Sequence, residues 1–131
     1  MSTITGTWHN QHQSLVHLVE EDGRLSGRFQ PAIGLCRGES FPLTGSIVGD
    51  QLAFTVSFGR EGSITAWVGH VVRRGDAQEI ETLWHMAIHV DGKLGDAAWR
   101  GTLSGADTFR RGELALTTVD TKMPSVPVRV G

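Results

Sequence analysis

One cysteine and only two lysines stand among 131 residues, and each scarcity excludes something. Cys36 has no second thiol to pair with, so an intrachain disulfide is ruled out. A small passive thiol is its expected role, with a bridge between subunits as the alternative. Basic residues number 12 against 14 acidic ones, for a net charge of −2. No basic stripe is present to track a phosphate backbone, so nucleic acid is not an expected partner. No apolar run reaches the roughly 18–20 residues a membrane-crossing helix needs, which excludes a transmembrane helix and leaves no expected membrane partner. The opening MSTITGTW has neither a basic n-region nor an apolar h-region, so no secretory signal is expected in it. Helical periodicity is almost absent.

What the chain has is glycine, 17 of them, with 39% hydrophobic and 20% charged residues. That balance suits one soluble globular domain made of short strands and tight turns. Turn signals fall at Glu20-Glu21-Asp22-Gly23, Gly34 to Ser40, Gly49-Asp50, Gly59 to Gly62, Gly75-Asp76 and Asp91-Gly92. Between them the pattern predicts eight strands, at 6–12, 14–20, 24–30, 40–48, 51–58, 63–73, 78–90 and 97–109. With no crossover helix between them, neighbours should pair as antiparallel hairpins. An even number of such strands points to a closed up-and-down barrel, because closure removes both sheet edges. The fold class is therefore all-β, an eight-stranded antiparallel up-and-down barrel over residues 1–110. Residues 111–131 are expected to form an extended tail that could close a pocket mouth.

Alternation fixes one strand and leaves two open. In Gln51–Phe58, Leu52, Phe54, Val56 and Phe58 share a face opposite polar neighbours. In 63–69, Ser63, Thr65 and Trp67 oppose Ile64, Ala66 and Val68. In 79–90, Ile80, Thr82, Trp84, Met86 and Ile88 oppose Glu79, Glu81, Leu83, His85, Ala87 and His89. If the tryptophans point inward, the interior is a polar and aromatic ligand cavity and the outer aliphatic row is a subunit contact. If the faces are swapped, Ser63 and Thr65 are ordinary surface residues.

The ordered set Gly6-Thr7-Trp8-His9-Asn10-Gln11, Leu25-Ser26-Gly27-Arg28-Phe29, Pro42-Leu43-Thr44-Gly45, Thr65-Ala66-Trp67-Val68-Gly69, Thr82-Leu83-Trp84 and Ala98 to Phe109 resembles the avidin/streptavidin family of biotin-binding proteins. The resemblance runs from residue 6 to about residue 110 and implies the same eight-stranded barrel. It implies no cofactor; biotin would be the ligand of a non-enzymatic protein. Family members are often secreted, and the position of Trp99, which caps a neighbour's site in tetrameric members, implies a homotetramer, with a dimer as the alternative. Trp8 matches the family's structural tryptophan at the barrel's closed end.

Biotin presents a ureido oxygen that accepts, two N–H groups that donate, a thioether ring and a chain ending in carboxylate. Burying the ureido head requires a partner for each polar atom. The resemblance implies that Asn10 and Ser14 serve the ureido oxygen and Asp107 an N–H group. Phe29 and Pro31 stand where the family has a tyrosine and a hydroxyl residue. Ser63 and Thr65 match hydroxyls that serve the carboxylate and the ring sulfur, and Leu35 offers a backbone N–H to the carboxylate. Trp67, Trp84 and Trp99 match three of the family's four site tryptophans, and Phe58 replaces the fourth. The expected ligand-binding set is completed by Ile33, Met86 and His12. His12 takes the place of an aliphatic residue and, by strand parity, shares a face with Trp8, Asn10 and Ser14. Five polar groups on inward faces are not the choice of a purely apolar core.

Other chemistries fit less well. His9-x-x-His12 and His85-x-x-x-His89 have the wrong spacing on strands to share one tetrahedral metal, so no metal site is expected. Glu79 and Glu81 share a face expected to be solvated. No nucleophile elbow, phosphate loop or dinucleotide fingerprint is present. The alternative function is a more apolar, re-tuned pocket for another small molecule, with His12 and Asp107 as an acid–base pair.

Overall fold

The computed structural model describes residues 3–33, 37–59, 62–89 and 102–112. Eight strands run in chain order: β1 (Gly6–His9), β2 (Leu15–Glu21), β3 (Arg24–Gln30), β4 (Phe41–Val48), β5 (Gln51–Phe58), β6 (Ser63–Arg74), β7 (Ala77–Ile88) and β8 (Thr102–Arg111). Each pairs antiparallel with the next, and β8 returns to β1 through Trp8↔Arg111 and His9↔Arg110, which closes the barrel. Hairpin chemistry explains the short links. At the β2–β3 turn, Asp22 and Gly23 both adopt positive φ, 52° and 78°. That pair suits a type I′ turn, whose twist matches the strands it joins.

Strand parity fills the interior. Leu52, Phe54, Val56 and Phe58 of β5 are all buried, as their alternation requires. The open question in β6 and β7 is settled by exposure: Thr65 and Trp67 are fully buried, while Ile64 is 48% and Val68 58% exposed. In β7, Ile80, Thr82, Trp84 and Met86 point inward and Leu83 outward at 62%.

The first strand is shorter than its expected span of 6–12. Asn10 Oδ1 accepts from the backbone N–H of both His12 (3.0 Å) and Ser14 (2.9 Å), so the chain turns there instead of continuing. Gln13 completes the turn at φ 71° and donates its N–H to Asn10 O. An asparagine side chain that satisfies backbone donors competes directly with a sheet ladder. His12 is therefore a half-buried turn residue rather than part of an inward strand face. The last strand extends to Arg111 rather than ending at 109. Its expected positions before Thr102, position 90 of the seventh expected strand, and the expected tail beyond Gly112 lie outside the described residues.

The closed end is sealed by packing and pairing together. Trp8 is fully buried and donates Nε1–H to Ile4 O at 2.9 Å. The Arg111 guanidinium lies 4.4 Å over its ring and donates to Thr3 O, Thr5 O and Gln78 Oε1. On the outer wall, Glu79 takes ion pairs from Arg74 and Arg110, and Glu81 one from Arg74.

Candidate functional site

Toward the mouth, the interior carries polar groups among aromatic walls. Asn10, Ser14, Thr65, Thr82 and Asp107 are buried beside Phe29, Phe58, Trp67, Trp84 and Met86. Asp107 stands at the centre. Its Oδ2 accepts from Trp67 Nε1 at 2.8 Å, and its Oδ1 accepts from Gln11 Nε2 at 2.8 Å. Asn10 adds a third side-chain bond, and His12 acts on the carboxyl through its charge. Burial still pushes the Asp107 carboxyl above its ordinary value, because the lost hydration outweighs what these partners return.

Gln11 is the residue at this candidate site that sequence reasoning passed over. Besides Asp107, it donates to Ala106 O at 2.9 Å and accepts from Thr108 N at 3.0 Å. One exposed turn residue thereby fixes three consecutive positions of β8. The signal lay in Asn10 itself: reading it as a turn-former would have swung Gln11 off the strand and toward the closing strand.

Ser14 Oγ accepts from the Ala32 N–H at 3.0 Å. A hydroxyl can accept and donate at once, so its own proton is left to offer to a ligand. Phe29 is fully buried, 5.1 Å from the Trp67 ring and 6.0 Å from Phe58. Phe58 in turn meets Phe41 edge-on at 4.8 Å. A run of aromatic rings thus lines the β3–β6 side of the interior, with the Trp67 N–H and the Thr65 hydroxyl as polar atoms beside it. Pro31 and Ile33 are buried where the chain leaves β3. Ser63 is half-buried at the rim, paired with Phe58 and Ile88. Leu35 and Trp99 fall outside the described residues, as does Cys36. Among the described residues, no group of three His, Cys, Asp or Glu side chains could hold a metal ion.

The chain from residue 1 to 112 matches the sequence model of the Avidin family. It belongs to the avidin family. Afifavidin of Afifella pfennigii is 27% identical over 132 residues, spanning 95% of this chain and 74% of that protein. The crystal structure of a rhizavidin–biotin complex superposes with a TM-score of 0.69 at 27% identity, covering 81% of this chain and 97% of the other. Xenavidin gives a TM-score of 0.73 at 27% identity, with 84% and 97% covered.

Within this avidin-family chain, the buried polar cluster and the aromatic wall meet in one interior, where Trp67 bonds Asp107 and shares its strand face with Thr65. A groove of about 580 Å³ also runs over the outer wall, lined by Gln51, Val68, His70, Glu81, Leu83 and Thr108 among others. Thr82 and Asp107, whose side chains are buried, also contribute to its lining.

Proposed function

We propose that the chain is a non-enzymatic binder of biotin, with the ureido head deep in the barrel and the carboxylate at the mouth. One observation carries this reading: a buried carboxylate, Asp107, held by three neighbouring side chains inside a mainly apolar interior. An ionised carboxylate only accepts, which suits a ureido N–H. The amide N–H group of Asn10 and the hydroxyl of Ser14 are donors suited to the ureido oxygen. Phe29, Phe58, Trp67, Trp84, Met86 and Ile33 form apolar walls, with Ser63 and Thr65 toward the carboxylate and the ring sulfur. Leu35 and Trp99 complete the proposed set. That rhizavidin was crystallised with biotin supports the assignment by kinship.

Phe29 and Pro31 supply no hydrogen bond to the ureido head. Two missing bonds weaken binding by about 1–3 kcal/mol relative to a site that makes them. The acid–base alternative is disfavoured by the partners of Asp107: its hydrogen bonds come from Trp67, Gln11 and Asn10, and His12 contributes only a field. Biotin is thus read as a ligand rather than a cofactor.

The outer row of Ile64, Val68 and Leu83, each about half exposed or more, supports a second copy of the chain as protein partner, in a homotetramer or a dimer. Sedimentation at the mass of the single 14.2 kDa chain would count against it. The function itself is tested by isothermal titration with biotin, and with desthiobiotin as the sulfur-free control. Tight binding near one ligand per chain supports the reading; no heat from either ligand sinks it.

A further inference from the structure

Asp107 lies where β8 meets the turn that follows β1, and three consecutive residues of that turn act on it. Gln11 Nε2 donates to its Oδ1 at 2.8 Å, Asn10 adds a side-chain bond, and His12 acts through its charge. The turn is pinned from both sides. Asn10 Oδ1 accepts from the N–H of His12 at 3.0 Å and of Ser14 at 2.9 Å, while Gln11 also bonds Ala106 O and Thr108 N on β8. His12 is therefore held by its backbone next to the residue that grips β8. It is half-buried, and its imidazole has no hydrogen-bond partner among the described residues.

Among the described residues, His12 is the charged group that acts on Asp107. The other side chains against Asp107 are Trp67 of β6 and Thr82 of β7, whose hydroxyl donates to Asp107 O at 3.0 Å, and neither is ionised. Glu79, Glu81 and Arg110 alternate to the outer wall, where Arg74 and Arg110 pair with the two glutamates. On the other side of His12, its own turn supplies Gln11, Gln13 and Ser14, and Ser14 Oγ ties in the uncharged stretch Pro31, Ala32, Ile33 through the Ala32 N–H at 3.0 Å. An imidazole and a carboxyl thus face each other across β1 and β8 without a competing ion.

Burial makes the Asp107 carboxyl take up a proton more readily than an ordinary carboxyl does, and only the ionised form accepts from a ligand N–H on either oxygen. Mild acid therefore threatens this acceptor early. Imidazole as a side-chain type is cationic over the pH range in which carboxyls protonate. A positive charge beside a carboxylate favours its ionised form. Resting on the biotin reading, we propose that His12 keeps Asp107 ionised in mild acid and so extends ligand capture to lower pH. His12 is in this role a positioning residue: it acts on the ligand through the charge of Asp107.

Two titrations of the full chain over an acid-to-neutral pH series test this. The first follows the Asp107 side-chain carboxyl ¹³C resonance in ligand-free protein. The second measures biotin affinity by competition calorimetry, with each variant compared with its own value at the neutral end. His12→Leu is expected to raise both midpoints by about half a pH unit, so that biotin at the acid end binds about threefold more weakly. His12→Lys carries its charge throughout the series and is expected to restore the wild-type midpoints. His12→Gln replaces the leucine variant if leucine disturbs the turn. A carboxyl midpoint that stays at the wild-type value in the uncharged variants overturns the proposal, and so does a carboxyl midpoint that moves while the biotin profile does not. If biotin binds at no pH, the biotin reading fails and takes the ligand half of the proposal with it, while the ligand-free titration still upholds or overturns the pairing of His12 with Asp107.

Discussion

At the closed end of the barrel, the Trp8 indole and the Arg111 guanidinium both donate to the backbone of Thr3 to Thr5, and the guanidinium lies over the indole ring. Halfway to the mouth, the Trp84 indole and the Thr65 hydroxyl are as deeply buried and bond to nothing described. Burial and residue type are alike in the two regions, so neither separates one tryptophan from the other. What separates them is whether the polar atom is satisfied by the fold alone. The closed end spends its hydrogen bonds on closing the barrel, and the open half withholds some of them.

The sharpest way to break this contrast is Trp8→Ala. Removing a fully buried indole is expected to destabilise the fold by about 3–5 kcal/mol. Denaturant unfolding should show the loss, while biotin affinity of the folded fraction changes little.

Asp107→Asn probes the middle of the barrel. Burial holds the folded carboxyl above its unfolded value, so the folded protein takes up this proton more readily than the unfolded chain. The associated stability is present below the ordinary carboxylate range and is lost as pH rises through the raised folded value. Biotin affinity runs the opposite way, because only the ionised carboxylate accepts from both sides. The substitution should remove both trends and lower affinity by about 2 kcal/mol, roughly thirtyfold. Unfolding and titration over a pH series measure the two; identical pH profiles in wild type and variant would show that this carboxyl is not the acceptor.

Phe29→Tyr is the smallest change and sharpens the comparison instead of breaking it. A hydroxyl on the aromatic wall should tighten biotin by about 1 kcal/mol, seen by titration as a roughly fivefold lower Kd. Unchanged affinity would mean that the ureido oxygen does not lie against this wall.

The barrel was legible in the sequence because each hairpin is local. Turn residues such as Asp22-Gly23 and the alternation of β5 depend only on neighbours a few positions away. The inward set Asn10, Ser14, Thr65 and Asp107 was legible through the ordered motifs that resemble the avidin family, because alternation alone left the face of Thr65 open. In β6 and β7, both faces carry apolar residues, so periodicity alone could not orient Trp67 and Trp84. Gln11 was missed for a different reason: its three bonds reach β8, 95 to 97 residues away. His12 was misplaced with it, since parity counting ran straight through a turn that Asn10 makes with its own side chain.

That turn has a kinetic consequence. β1 and β8 meet through only two paired positions, and they join the first and last parts of the barrel. Contacts between such distant segments carry the largest chain-closure cost and form late. The seam is then the natural place for the cylinder to open, and Gln11 acts as its latch. A ligand held between Asn10 and Asp107 spans the same seam from inside. Binding therefore slows the opening of the cylinder and lengthens the lifetime of the folded state, while leaving the rate at which the chain first folds almost untouched.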